Sequence, residues 1–170
     1  PSDAWTAPTR CADWDVREVI GHIVVVDQWW TLTLSNALTA DAGLSTYLAG
    51  FDPSSSTDDL TAAAVADGIA PLVERFATGT AALARVVGGF EDAHWDQRTE
   101  SPLGHVPALL CLGHAYWDTW LHERDILVPI GAAPVSSPAE VLAVTWFMLA
   151  FAGLQGGVLD DPAAVAPGPW

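Results

Sequence analysis

The stretch His105–Gly131, HVPALLCLGHAYWDTWLHERDILVPIG, decides how the rest of the chain is read. It holds three of the five histidines. His114, Asp118 and His122 follow one another at intervals of four, and at about 3.6 residues per turn such positions share one face of a helix. Leu110, Tyr116, Trp117, Trp120, Leu121 and Leu127 supply apolar surface around that stripe. Imidazoles and a carboxylate in such surroundings are costly to desolvate unless they are paired or coordinated. The pattern predicts a helix over about 105–128, stopped by Pro129 and Gly131.

Working outward, Val16, Val19, Ile20, Ile23, Val24, Trp30, Leu34 and Leu38 recur at helical spacing, with Asp27 the one polar residue in the series. They predict a first helix over about 14–40, with Asp13 as its N-cap. After a long Gly-, Pro- and Ser-containing connection, a second helix is expected from Thr57 or Ser56 to about Val87, kinked or interrupted at Gly68 and Pro71. Residues 90–104 read as another long connection, with no strand alternation. Ser137 followed by Pro138 marks the start of a last helix, to about Leu154. Four helices with long connections argue an all-α bundle. Residues 1–157 read as the domain, and 158–170, rich in Gly and Pro, as a linker or the stub of a further segment.

The formal charge is −15, and all six basic residues are Arg. Nucleic acid and anionic membrane surfaces are therefore poor partners. No apolar run of about 18 residues suggests a membrane span. Two isolated cysteines, Cys11 and Cys111, without a secretory leader fit a cytoplasmic location.

Asp118 and His122 are the best-placed pair on the third helix, able to grip one ion from the same side. His22, set between Ile20 and Ile23 on the first helix, faces the bundle interior and offers a third ligand from another element. His114 is about 12 Å of helix rise from His122, so it belongs to the surroundings of such a site. The bland alternatives stay open on spacing alone. His22 could be a hydrogen-bonded core histidine, and Asp118 with His122 a helix-surface pair worth a few tenths of a kcal/mol. Glu123, Arg124 and Asp125 read as an ion-pairing surface stretch.

Two stretches carry a family resemblance. PTRCADWDVREVIGHI at the N-terminus, and SPLG followed by HAYWDTWLHERDILVPIG, resemble the first and third helices of the mycothiol-dependent maleylpyruvate isomerase family, within the DinB-like superfamily. The resemblance implies a DinB-like four-helix bundle with one divalent metal held by His22, Asp118 and His122. Asp stands here where Glu is common in the isomerase. Zinc is the first expectation for the ion, with nickel or another transition metal as the alternative. Mycothiol is the implied cosubstrate, and the implied activity is a thiol-dependent isomerase or S-transferase acting on a small electrophile. Trp29, Trp30, His114 and Trp117 are expected to line the pocket.

Two other functions compete: a non-catalytic metal- or small-ligand-binding bundle, and a structural bundle whose His–Asp–His stripe is a buried polar network. The aromatic surplus of Trp29, Trp30, Trp117, Trp120 and Trp146 further suggests a homodimer face.

Overall fold

A computed structural model describes residues 2–39, 46–48, 56–102 and 104–160. Its elements in chain order are α1 (Val16–Asn36), α2 (Ser56–Val65), α3 (Ile69–Gly88), β1 (Arg98–Ser101), β2 (Gly104–Pro107), α4 (Ala108–Leu127) and α5 (Pro138–Asp160). The protein is an all-α bundle carrying one small hairpin. Among the described residues, no helix is long and apolar enough to cross a membrane.

Helix α1 starts one turn-half later than its sequence suggests, because the N-cap is Asp15 and not Asp13. Asp15 Oδ1 accepts from the Glu18 backbone at 3.0 Å, and Glu18 Oε2 accepts from the Asp15 backbone at 2.9 Å. That reciprocal pair satisfies two N–H groups that Asp13 is too far upstream to reach. Helix α5 opens the same way, Ser137 Oγ accepting from the Glu140 N–H at 3.2 Å.

The expected second helix is two. Gly68 sits at φ 89, a left-handed conformation that a side chain would strain, and it separates α2 from α3. Pro71 falls in the first turn of α3, where its missing N–H has no helical partner to lose, so it starts a helix where a kink was expected. Gly21 lets α1 and α2 close up: a Cβ there would lie 2.7 Å from Val65 Cγ1.

The connection expected over 90–104 contains a strand pair. β1 runs antiparallel to β2, with Thr99 opposite Val106. Four-residue strands are too short to show alternation, and a tight turn ending in Gly104 at φ 91 sets their register. The hairpin wedges between α1 and α4. There the Glu100 carbonyl accepts from Thr33 Oγ1 at 2.9 Å, and the Glu100 carboxylate receives the backbone N–H groups of Tyr47 and Leu48.

The core joins α1, β2, α4 and α5 through Trp30, Leu34, Val106, Leu110, Cys111 and Phe147. Each such side chain contributes on the order of 1.5–3 kcal/mol on burial. Of the aromatic surplus, Trp30 is buried, Trp29 and Trp117 are partly buried against the core, and Trp146 stays exposed. Helix α5 extends to Asp160, past the expected end near Leu154. Of the expected linker, 158–160 are helical and the remainder lies outside the described residues.

Candidate metal centre

Helix α1 carries His22 and helix α4 carries Asp118 and His122, and the packing of α1 on α4 brings the three side chains to one point. His22 Nε2 lies 3.7 Å from Asp118 Oδ2, and His122 Nε2 lies 3.6 Å from Asp118 Oδ1. The two imidazoles meet edge to face, with centroids 4.9 Å apart. The two contacts run to different oxygens of the Asp118 carboxylate, and one ligand atom from each of the three residues lies within 4.8 Å of the others. The donor set, two imidazole nitrogens and a carboxylate, is one that zinc-type ions take. Asp118 Oδ2 is buried with no hydrogen-bond partner. An orphaned carboxylate oxygen between two imidazoles fits a cation better than it fits a self-contained polar network.

Burial alone would raise the Asp118 carboxyl. The contact with His22 and the charges of His122, His22 and His114 outweigh it and hold Asp118 below the usual carboxylate value. Asp118 is therefore ionised at neutral pH.

Asp125 is a site residue, contrary to its reading as part of a surface stretch. It is buried, and its Oδ2 lies 3.0 Å from His122 Nδ1. This contact favours the tautomer with the proton on Nδ1 and leaves the Nε2 lone pair facing Asp118. The signal was in the sequence: Asp125 follows Asp118 by seven and His122 by three, on the same helical face. Arg124 is buried too, lying over the Trp120 ring at 3.4 Å. Glu123 alone of the three is exposed.

Cys11, from the irregular N-terminal segment, donates its thiol to Asp125 Oδ2 at 3.5 Å and lies 3.9 Å from His122 Nδ1. Cys11, His122 and Asp125 form the other potential ligand cluster among the described residues. Burial, then the charge and hydrogen bond of Asp125, push the Cys11 thiol up to about 11. In this arrangement Cys11 and Asp125 stand behind His122, on its Nδ1 side. Trp14 completes the surround. Its ring stands 5.1 Å from that of His22, and its Nε1 donates to Asp58 Oδ1 at 3.2 Å, tying α2 to the site.

Beside the three ligand candidates lies a cavity of about 210 Å³, reached by Val25, Val26, Trp30, Thr57, Leu60, Pro102 and His114 together with His22 and Asp118. His114 is stacked on Phe147 with centroids 5.2 Å apart. Burial pushes its imidazole below the ordinary value against the opposing charge of Asp118, so it is neutral. Trp29 and Trp117, expected on the pocket wall, pack elsewhere. Trp29 meets Trp30 edge to face at 4.2 Å, and Trp117 lies 5.7 Å from Phe147 in the core. Pro102 and Thr57 take wall positions that helix periodicity does not reveal, since one belongs to the hairpin turn and the other to α2.

The family described as the mycothiol maleylpyruvate isomerase N-terminal domain matches residues 1–127. No curated protein and no solved structure matches this chain.

Proposed function

Since the chain belongs to the mycothiol maleylpyruvate isomerase N-terminal domain family, we propose that it is a metal- and thiol-dependent isomerase or S-transferase, with His22, Asp118 and His122 holding one divalent ion, zinc first. The observation that carries this reading is the convergence of three ligand atoms from α1 and α4 within 4.8 Å of one another, next to a cavity.

A bound ion of this kind favours the thiolate form of a thiol placed beside it and so supplies the nucleophile at neutral pH. The chain's own side chains do the rest. His22 and His122 offer imidazole nitrogens, and Asp118 offers one negative charge. Asp125 keeps the Nδ1 proton of His122 on the far side of the ring. Trp30, Val25, Val26 and Leu60 give the cavity apolar walls. Neutral His114 stands on the cavity wall as an acceptor or donor for a polar group of the substrate. In an isomerisation the thiolate adds to one carbon of an activated double bond, giving a C–S bond and a delocalised carbanion. Rotation about the resulting single bond follows. Cleavage of the C–S bond then restores the double bond and returns the thiolate, so atoms and protons balance. Cys11 is no substitute for the external thiol, because it does not line this cavity.

Elemental analysis of protein purified without chelator, paired with turnover of maleylpyruvate in the presence of mycothiol, tests the reading. One divalent ion per chain is expected, and His122→Ala should lose ion and turnover together while helicity is kept. Turnover retained in His122→Ala ends the mechanism. Stoichiometric metal without turnover of electrophiles by any thiol makes the domain a binding module.

A further inference from the structure

Helix α5 differs from the other helices. From Val141 to Leu159 it has no charged residue, in a chain of formal charge −15. It packs along α4, with Val144 and Phe147 buried. Much of what remains is apolar and in solvent: Leu142 is 71% and Leu149 69% exposed, and Trp146 is 40% exposed. Residues 142, 146 and 149 are separated by four and three, so they form one stripe along the helix. Directly beside that stripe runs an apolar groove of about 270 Å³, lined by Leu109, Leu112, Gly113 and Tyr116 of α4 and by Ala143 and Trp146 of α5.

We propose that this face is a homodimer interface, in which α5 of one copy packs against α5 of a second across a two-fold axis, with Leu142 and Leu149 entering the partner's α4–α5 groove. Three observations select a second copy as the occupant. First, ridge and groove lie on the same patch, and a two-fold interface requires a surface complementary to itself. Second, the patch is free of charge. Two copies of −15 repel wherever acidic surfaces meet, and α5 offers a face on which they can approach without that opposition. A basic partner would find its complement on the acidic faces and not here. Third, the face is broad. Beside the stripe, Val141, Met148 and Leu154 of α5 and Leu109 and Tyr116 of α4 are exposed as well, a larger apolar face than scattered surface residues make. The homodimer expected from the sequence is thus placed on α5, with Trp146, exposed among the five tryptophans expected at its face, beside the groove.

Sedimentation of the whole 170-residue chain tests this. The wild type should dimerise with a Kd in the micromolar range, and Leu142→Glu with Leu149→Glu should weaken it by about 100-fold or more, since each change places a charge in an apolar contact. Both positions are exposed in the single chain, so the double variant should keep its circular dichroism and its metal content. A second measurement needs no variant. Raising the salt screens the repulsion between acidic copies, so the wild-type dimer should tighten. A wild type still monomeric at about 100 μM overturns the proposal. In that case protection of α5 from hydrogen exchange assigns the face to a segment of the same chain, and lack of protection assigns it to another protein. Dimerisation that the double variant leaves unchanged, or that salt weakens, also overturns it. None of these outcomes bears on the metal reading.

Discussion

His122 is held from both sides: its Nδ1 lies 3.0 Å from Asp125 Oδ2, and its Nε2 faces Asp118 Oδ1 at 3.6 Å. The Asp125 contact favours one ring orientation and the tautomer with the proton on Nδ1. A ligand with a fixed lone pair binds an ion without first losing rotational freedom.

Asp125→Asn should therefore weaken metal binding by about 10–100-fold while leaving the donor set intact. An amide oxygen still accepts from Nδ1, but without the charge that makes His122 a stronger base. Competition titration against a chelator measures this. An unchanged affinity would show that Asp125 has no part in preparing the ligand.

Cys11 should be unreactive. Its thiol is pushed up to about 11 from an ordinary value of 9.0, so at a given neutral pH its thiolate fraction is about 100-fold lower. Alkylation by iodoacetamide at pH 8, followed by mass spectrometry, should be slower than for an unfolded peptide of the same sequence by about that factor. Asp125→Asn removes the charge that helps raise the thiol, so alkylation should speed up in that variant.

Asp27 is the buried carboxylate of α1, hydrogen-bonded by Thr80 Oγ1 at 3.0 Å. Burial raises its pKa; Thr80 opposes this, and the charge of Asp118 adds to it. A carboxyl raised in the folded state binds its proton more tightly there than in the unfolded chain. Folding stability is thus highest below the unfolded value and falls as pH rises through the folded one. Asp27→Asn keeps an acceptor for Thr80 and removes the ionisation. In metal-free protein it should melt higher than the wild type at pH 7 and at about the same temperature near pH 4. Equal melting temperatures at both pH values would show that Asp27 carries no such penalty.

Gly21→Ala tests the closeness of α1 and α2. The new Cβ would stand 2.7 Å from Val65 Cγ1 and 3.5 Å from the Thr61 carbonyl oxygen. Overpacking of this kind costs about 1–3 kcal/mol, relieved by displacing α2. Because α2 supplies Thr57 and Leu60 to the cavity wall, KM for the thiol or electrophile should rise several-fold while metal content stays that of the wild type. Loss of metal instead would place the damage in α1.

The sequence by itself determined the bundle, the stripe and the family. Periodicity is a local property, so the apolar spacing of α1 and α4 and the common face of Asp118 and His122 follow from 3.6 residues per turn alone. Punctuation by Gly68 and by Ser137–Pro138 is local as well. The tertiary structure decided what depends on contacts between distant segments. The hairpin of 98–107 needs α1 and α4 to hold it, since two four-residue strands have no stability of their own. The burial of Asp125 comes from the N-terminal segment, where Arg10 donates its backbone N–H to the Asp125 carbonyl at 3.1 Å and Cys11 its thiol to the carboxylate. The burial of Trp30, and the outward turn of Leu142 and Leu149 on α5, were equally illegible. An apolar residue reads the same in sequence whether it meets its own core or the solvent, and only the packing of the other helices tells them apart.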